Sequence, residues 1–279
     1  MLLSCPDRPG IVAAVTGWVA SSGGNIVDAQ QHTDSRDGMF FQRVKFVRPD
    51  GVPFSALEDG FRSVASKLGL TYKFCSLPNR PRTALLVSRH VHCMSDLLCR
   101  AYLKDLDLDV RFVASDTEDG RDICGMFGHP FVHIPVGSGV NARDEQETRL
   151  LALLNGGDLD LVILARYMRV LSSRVVEPWF GRMINIHHSF LPSFAGAGPY
   201  RQAHDRGVKI VGATAHYVSE VLDAGPIIAQ DVVRVSHRDD VSDLTRRGRD
   251  VEVNVLASAV RAHIEHRVLI FQGRTVVFD

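Results

Sequence analysis

Asn185 and His187 stand one residue apart in the run Ile184-Asn185-Ile186-His187-His188-Ser189-Phe190-Leu191-Pro192, and His216 and then Leu222-Asp223-Ala224-Gly225-Pro226 follow further along the chain. An amide, imidazoles and a carboxylate are groups that polarise a carbonyl and position a nucleophile against it. An amide N–H and an imidazole N–H aimed at one point stabilise the oxyanion that forms when a carbonyl is attacked, and losing one such donor typically costs ~3 kcal/mol of transition-state stabilisation. A nearby carboxylate raises the imidazole's affinity for a proton and can orient or deprotonate the attacking group. No serine or cysteine nucleophile is demanded. The same residue types also cap helices and satisfy backbone donors near turns, so the argument for chemistry rests on their joint spacing.

The elements that must position these groups are two apolar strands. Arg182 to His188 reads as extended chain, in which alternate residues point the same way, so Asn185 and His187 share one face. Val208 to Ser219 has few charges and reads as a second, buried strand, and its end delivers Asp223 in an Asp-Ala-Gly-Pro turn. His187, His188, His204 and His216 raise the alternative of a metal site, since imidazole is a common zinc ligand. Adjacent histidines on a strand point to opposite faces, however, and neither a cysteine nor an HxxxH spacing supports zinc, so no metal is expected.

The Asn-Ile-His-His-Ser-Phe-Leu-Pro run, with Gly-Ala-Thr-Ala-His-Tyr-Val and Leu-Asp-Ala-Gly-Pro-Ile-Ile, resembles the formyl-transfer domain of folate enzymes. Within that superfamily the chain is most similar to the formyltetrahydrofolate deformylases, over essentially its whole length. The resemblance implies hydrolysis of 10-formyltetrahydrofolate to tetrahydrofolate and formate, supplying formate for purine synthesis and balancing one-carbon pools. Residue by residue, it implies catalytic Asn185, His187 and Asp223. Asn185 and His187 would hold the formyl oxygen, while Asp223 would manage the water and its protons and favour the His187 imidazolium. Leu164-Ala165-Arg166-Tyr167-Met168-Arg169-Val170-Leu171 resembles the segment lining the folate cleft, which makes Arg169, Val170 and Leu171 candidates for contacting the pterin region, partly through backbone groups. His216 and Gly225 are further candidates for substrate binding. Leu161 to Ala165 also reads as an ordinary core strand.

Two formyl-transferring relatives supply the contrast. Glycinamide ribonucleotide formyltransferase carries a glycine-rich phosphate loop after its first strand, where this chain has Ser88-Arg89-His90-Val91-His92-Cys93-Met94-Ser95. Anions are cradled where small residues let backbone N–H groups approach closely, and His90, Val91 and His92 would crowd that approach. Water is then the expected nucleophile, although His90 and His92 as cations could bind a phosphate instead. Methionyl-tRNA formyltransferase adds a basic domain for nucleic acid, which is not expected here.

Lys plus Arg and Asp plus Glu both number 32, for a formal net charge of +0, where a nucleic-acid binder usually shows a basic excess. With 279 residues and 45% hydrophobic content the chain can bury a sizeable core, more readily as two domains than one. Cys5, Cys75, Cys93, Cys99 and Cys124 are odd in number and lack a Cys-x-x-Cys spacing, which reads as reduced thiols in a cytoplasmic protein. Nothing beside Cys93 argues for a thiolate nucleophile. Neither a signal peptide nor a long apolar run is evident, so no membrane partner is expected.

The break between domains reads at Ser76-Leu77-Pro78-Asn79-Arg80-Pro81-Arg82-Thr83, giving a first domain over residues 1–76, a linker over 77–83 and a second domain over 84–279. In the first, Met1 to Cys5 reads as a strand, short because so little precedes the Cys5-Pro6 loop, and Ile11, Val15 and Val19 mark a helix stopping at Gly23-Gly24. Asn25 to Gln31 and Met39 to Val47 pair as strands, Leu57, Phe61, Val64 and Leu68 mark a second helix, and Leu70 to Cys75 closes a ferredoxin-like βαββαβ order. Cys5-Pro6-Asp7-Arg8-Pro9-Gly10-Ile11-Val12 with Gly24-Asn25-Ile26 resembles the ACT domain, a regulatory module that binds small amino acids. That resemblance implies an effector contacting Asp7, Pro9, Gly10, Asn25 and Ile26 at an interface between copies; the same surfaces can instead serve assembly alone. Either way a homo-oligomer is expected.

Beyond the linker, apolar runs at Ala84 to Val87, Val110 to Ala114, Phe131 to Val136 and Leu159 to Leu164 alternate with helical stretches such as Met94 to Tyr102 and Glu145 to Leu154. Such alternation predicts an α/β, Rossmann-like domain with a mainly parallel sheet, whose sites gather at the carboxyl ends of the strands. Val241 to Glu265 reads as a long helix behind that sheet, with Arg246, Arg247, Arg249 and Asp250 on a solvated or interface face. The expected partners are a folate, water and a small amino acid, with no metal or redox cofactor. Two other readings stay open: a formyltransferase using an amine acceptor, and an amino-acid-responsive binding protein with an inactive catalytic-looking domain.

Overall fold

The computed structural model describes residues 1–192 and 199–279. In the first unit, β1 (Leu2–Pro6), α1 (Ile11–Ser21), β2 (Asn25–Asp34), β3 (Met39–Val47), α2 (Phe54–Leu68) and β4 (Thr71–Lys73) form a four-stranded antiparallel sheet in the order β2-β3-β1-β4. This is the ferredoxin-like arrangement expected for βαββαβ. Ile11, Val15 and Val19 recur every fourth residue on α1 and are buried with Leu57 and Phe61 of α2 against Leu3, Cys5 and Val44 of the sheet. Trp18 meets Phe61 edge-on, with centroids 4.8 Å apart.

The second unit contains β5 (Arg82–Val87), α3 (His92–Tyr102), β6 (Asp109–Ser115), α4 (Arg121–Met126), β7 (Phe131–His133), α5 (Ala142–Gly156), β8 (Leu161–Leu164), α6 (Ser173–Val176), β9 (Met183–His187), α7 (Pro199–Asp205), β10 (Ile210–Tyr217), β11 (Ile227–Arg234) and α8 (Val241–Ile264). Its sheet runs β11-β10-β9-β8-β5-β6-β7, parallel from β9 to β7. The strands β10 and β11 pair antiparallel, as a short connection between neighbours requires, and β10 also runs antiparallel to β9. Apolar residues of β5 and β8 such as Ala84, Leu86, Val162 and Leu164 are buried on one side of the sheet, and α8 packs across β9, β10 and β11.

Two boundaries depart from the expected ones. Arg82 and Thr83, placed in the linker, begin β5, because Arg82 donates from Nε and Nη2 to Asp160 at 2.9 Å and its backbone N–H reaches the same carboxylate. The segment after α8 is also shared. The first unit comprises Met1–Leu77, Glu265–Leu269 and Val276–Asp279, and the second Pro78–Ile264 and Ile270–Thr275. Within the first unit, Arg43 donates from Nε to the His266 carbonyl at 3.1 Å, and the Gln30 side-chain amide exchanges hydrogen bonds with Asp279 at 2.6 and 2.9 Å. A final hairpin, β12 (Val268–Phe271) and β13 (Arg274–Val277), turns on Gln272 and Gly273, both with positive φ, the conformation tight hairpins favour.

Candidate active site

Register builds the site. Asn185 of β9 lies opposite Leu164 of β8 on one side and His216 of β10 on the other, and His187 lies opposite Thr214. Asn185 and His187 thus share a face, as expected, and a cross-strand pair forms with Asn185 Nδ2 3.2 Å from His216 Nε2. His216 Nδ1 lies 2.9 Å from the Tyr217 carbonyl oxygen, which can only accept, so Nδ1 carries the hydrogen and Nε2 accepts from the amide. Burial pushes the His216 imidazole below its ordinary pKa, consistent with this neutral tautomer, and the ring is 2% exposed. The interaction fixes which end of the Asn185 amide is nitrogen and leaves its second N–H available.

Asp223 arrives from the loop between β10 and β11. That loop folds back tightly, with Tyr217 donating to the Pro226 carbonyl at 2.9 Å and Asp223 at φ 54, a left-handed conformation that Asp tolerates better than most residues. A Cβ at position 225 would fall 1.8 Å from the Tyr217 carbonyl oxygen, so only glycine fits there. The fold-back sets Asp223 Oδ2 3.2 Å from His187 Nδ1 and Oδ1 3.8 Å from His216 Nε2. The hydrogen bond from His187 holds the Asp223 carboxyl below the usual carboxylate range against the opposing pull of burial. His187 is 7% exposed, and its Nε2 is buried without a partner.

The trio opens on a cleft of about 380 Å³ that Arg169, Val170, Leu171 and His216 also line. The Arg169 guanidinium is drawn to Asp116, Nε to Oδ2 at 2.6 Å, and the Val170 carbonyl accepts from Arg143 at 2.6 Å. Gly225 does not line the cleft; its place is under the loop, for the steric reason above. His188 does line it, contrary to the alternation expected of adjacent strand histidines, because β9 ends at His187 and pleating stops there. The Asp7, Pro9 and Gly10 loop is exposed, Asn25 begins β2, and Ile26 packs on the first unit's core. None of these five lines the cavity of about 540 Å³ that Val27, Arg43, Phe46 and their neighbours form in that unit.

Sequence reasoning missed a second polar cluster beside the trio. Glu252, 1% exposed on α8, accepts from Tyr200 Oη at 2.5 Å, pairs with His92 Nε2 at 2.8 Å and lies 3.3 Å from Arg166 Nε. Burial pushes its pKa up, but His92, Arg166 and Tyr200 together outweigh burial and hold the carboxylate ionised. The signal was present: Glu252 stands on the same helical face as buried Val255, Leu256 and Ala259. Arg166, two residues beyond the end of β8, has φ 67, unusual for a non-glycine residue. His92, one of the two histidines weighed as phosphate-binding cations, is thus spent on a carboxylate. His90 is pushed below its ordinary pKa, first by burial and then by Arg166, Arg249 and His92. Burial raises the Cys93 thiol well above its usual range, which leaves it unsuited to be a thiolate nucleophile. Ligand atoms of His92, Cys93 and Glu252 lie within 4.8 Å of one another, a spacing a metal could use. The Glu252 oxygens already face His92, Tyr200 and the Arg166 cation, so the group is better described as a hydrogen-bonded ion cluster. No helix among the described residues is long and apolar enough to cross a membrane.

Comparison with known proteins identifies the family. Residues 81–260 match the formyl transferase family and residues 1–59 the ACT domain family. A formyltetrahydrofolate deformylase of Synechocystis is 46% identical over 280 residues, which cover 100% of this chain and 97% of that one. The crystal structure of a formyltetrahydrofolate deformylase from Pseudomonas syringae superposes with a TM-score of 0.94 at 44% identity, covering 100% of this chain and 93% of that one. Glycinamide ribonucleotide transformylase 1 from Symbiobacterium toebii covers only 75% of this chain, at 30% identity and a TM-score of 0.68, with 99% of its own length matched. The chain therefore belongs to the formyltetrahydrofolate deformylase family, with an ACT domain and a formyl transferase domain in one polypeptide.

Proposed function

We propose that the protein hydrolyses 10-formyltetrahydrofolate to tetrahydrofolate and formate, with Asn185, His187 and Asp223 as its catalytic residues. The observation that carries the assignment of roles is the buried, unpartnered Nε2 of His187, whose other nitrogen is turned to Asp223. An ionised Asp223 can only accept, so Nδ1 carries a hydrogen. Nε2, when protonated, donates to the formyl oxygen together with the free N–H of Asn185. Water adds to the formyl carbon, charge gathers on that oxygen, and the two donors stabilise it where little solvent competes. Asp223 receives the proton released from water, the C–N bond breaks, the folate nitrogen takes up a proton, and formate leaves. The steps need no metal and no redox cofactor. Arg169, Val170 and Leu171 bind the pterin region, chiefly through backbone groups, since the Arg169 guanidinium is already engaged.

The same trio could serve transfer to an amine, but relatives that match the whole chain are deformylases, and the transformylase match leaves a quarter of it uncovered. The test is incubation with 10-formyltetrahydrofolate and no acceptor. Equal release of tetrahydrofolate and formate is expected. Turnover that appears only on adding an amine would overturn the reading. We further propose that the ACT domain binds a small amino acid through Asp7, Pro9, Gly10, Asn25 and Ile26 in a homo-oligomer. Amino acids that alter turnover of the native chain and leave Asn25→Ala indifferent would support this; a variant that responds unchanged would not.

A further inference from the structure

A second cavity of about 290 Å³ adjoins the catalytic cleft, and Arg166, Met168 and His188 line both. Its wall adds Arg201 of α7 and Arg249 of α8, and its one carboxylate is Glu252. That carboxylate is already engaged by His92, Tyr200 and the Arg166 cation, whereas neither Arg201 nor Arg249 has a carboxylate partner among the described residues. Arg166 is 7% exposed, and its Nε, although 3.3 Å from Glu252, makes no hydrogen bond. Three guanidiniums against one carboxylate leave a positive excess in a pocket that shares Arg166, Met168 and His188 with the catalytic cleft. Only Arg166 is buried, and Arg201 and Arg249 are exposed, so the excess acts as a local positive field at the cavity that attracts small anions. The depressed His90 imidazole on the same wall reports the same field, since Arg166, Arg249 and His92 all lower its pKa after burial does.

We infer that this cavity receives the formate anion as it leaves the catalytic trio. The inference rests on the hydrolytic reading above. While the folate occupies the cleft, Arg166 and His188 border a second way out, and the guanidinium excess draws a small carboxylate along it. Guanidinium is suited to the task because its planar N–H pairs match a carboxylate's two oxygens. The site's ligand is thus a product, held weakly enough to depart.

The experiment follows the nuclear magnetic resonance line broadening of isotope-labelled formate by the purified full chain, so binding is read without turnover. It compares the native chain, Arg201→Gln with Arg249→Gln, and His187→Ala, adds inorganic phosphate as competitor, and assays hydrolysis of 10-formyltetrahydrofolate alongside. Both arginines are exposed, so their replacement leaves the core intact. Expected are binding by the native chain, affinity about tenfold weaker in the double arginine variant, as loss of charge-assisted hydrogen bonds implies, and binding retained in His187→Ala. No broadening, equal affinity in the double variant, loss in His187→Ala alone, or displacement by far lower phosphate than formate would each overturn the inference. The hydrolysis assay is read separately. Formate binding without hydrolysis sinks the hydrolytic reading, and hydrolysis without formate binding sinks this one.

Discussion

At the scale of single residues, the site works by restricting what each hydrogen can do. His216 spends its hydrogen on a backbone carbonyl and so dictates the orientation of the Asn185 amide, and Asp223 does the same for Nδ1 of His187. In the proposed mechanism, His187→Ala and Asn185→Ala each remove a donor used when charge develops on the formyl oxygen. Each is expected to lower kcat by about two to three orders of magnitude while KM changes only a few-fold. Asp223→Asn loses the partner of His187 and, in the proposed mechanism, the proton acceptor as well, and its kcat is expected to fall by at least as much. Steady-state kinetics on purified variants decide the matter; a variant with unchanged kcat removes that residue from the mechanism. Gly225→Ala acts differently, since the added carbon would sit 1.8 Å from the Tyr217 carbonyl oxygen and must push the loop away. Activity is expected to collapse with the Asp223 contact, although residue 225 does not line the cleft. Activity near the native level would show that Asp223 reaches His187 by another loop path.

At the scale of elements, the helix α8 does more than cover the sheet. It places Glu252 against α3 through His92, against α7 through Tyr200 and against the end of β8 through Arg166. Removing one member of such a buried cluster leaves an uncompensated charge, typically at a cost of about 3–5 kcal/mol. Glu252→Ala is expected to lower stability by that order, and Glu252→Gln by less because it keeps the shape. Urea unfolding with unchanged m-values would measure both, and a cost under about 1 kcal/mol for Glu252→Ala would mean that the cluster is solvated. This cluster also marks where sequence reading stopped. Strand alternation brought Asn185 and His187 to one face, and the Asp-Ala-Gly-Pro turn placed Asp223 at a fold-back, because both signals are local in the chain. Glu252, His92, Tyr200 and Arg166 are far apart in sequence, and what unites them is a packing of three elements on one sheet that no periodicity encodes. His188 escaped for the opposite reason: the alternation rule was carried one residue past the strand's end.

At the scale of the whole molecule, the order of elements in both units was legible because each alternates apolar periods cleanly. The segment after α8 was not, since its return to the first unit depends on partners such as Arg43 and Gln30, more than two hundred residues away in sequence. Each unit also holds a half-buried histidine, His266 in the first and His188, just past β9, in the second. Burial lowers His188 in the second unit to about 3 and His266 in the first to about 4. The sign of the pH effect follows directly. Above about pH 6.5 both histidines are neutral whether the chain is folded or not, and neither affects stability. Below that, the unfolded chain takes up protons that the folded chain refuses, so each histidine removes about 1.4 kcal/mol of stability per pH unit until its folded value is reached. Asp223 and Glu252 contribute in a different window. Their folded values lie below ordinary carboxylate values, so their stabilisation is intact above about pH 4.5 and is lost only as pH falls through the lowered values. A fall in stability between about pH 6.5 and pH 5 therefore belongs to histidines rather than carboxylates. His188→Asn, with no proton to take up, is expected to flatten the slope for the second unit by about one histidine's share while the first unit's slope persists. Denaturant titrations across that range would show it, and a stability independent of pH from about 7 to 5 would mean that both rings are hydrated well enough to protonate in place.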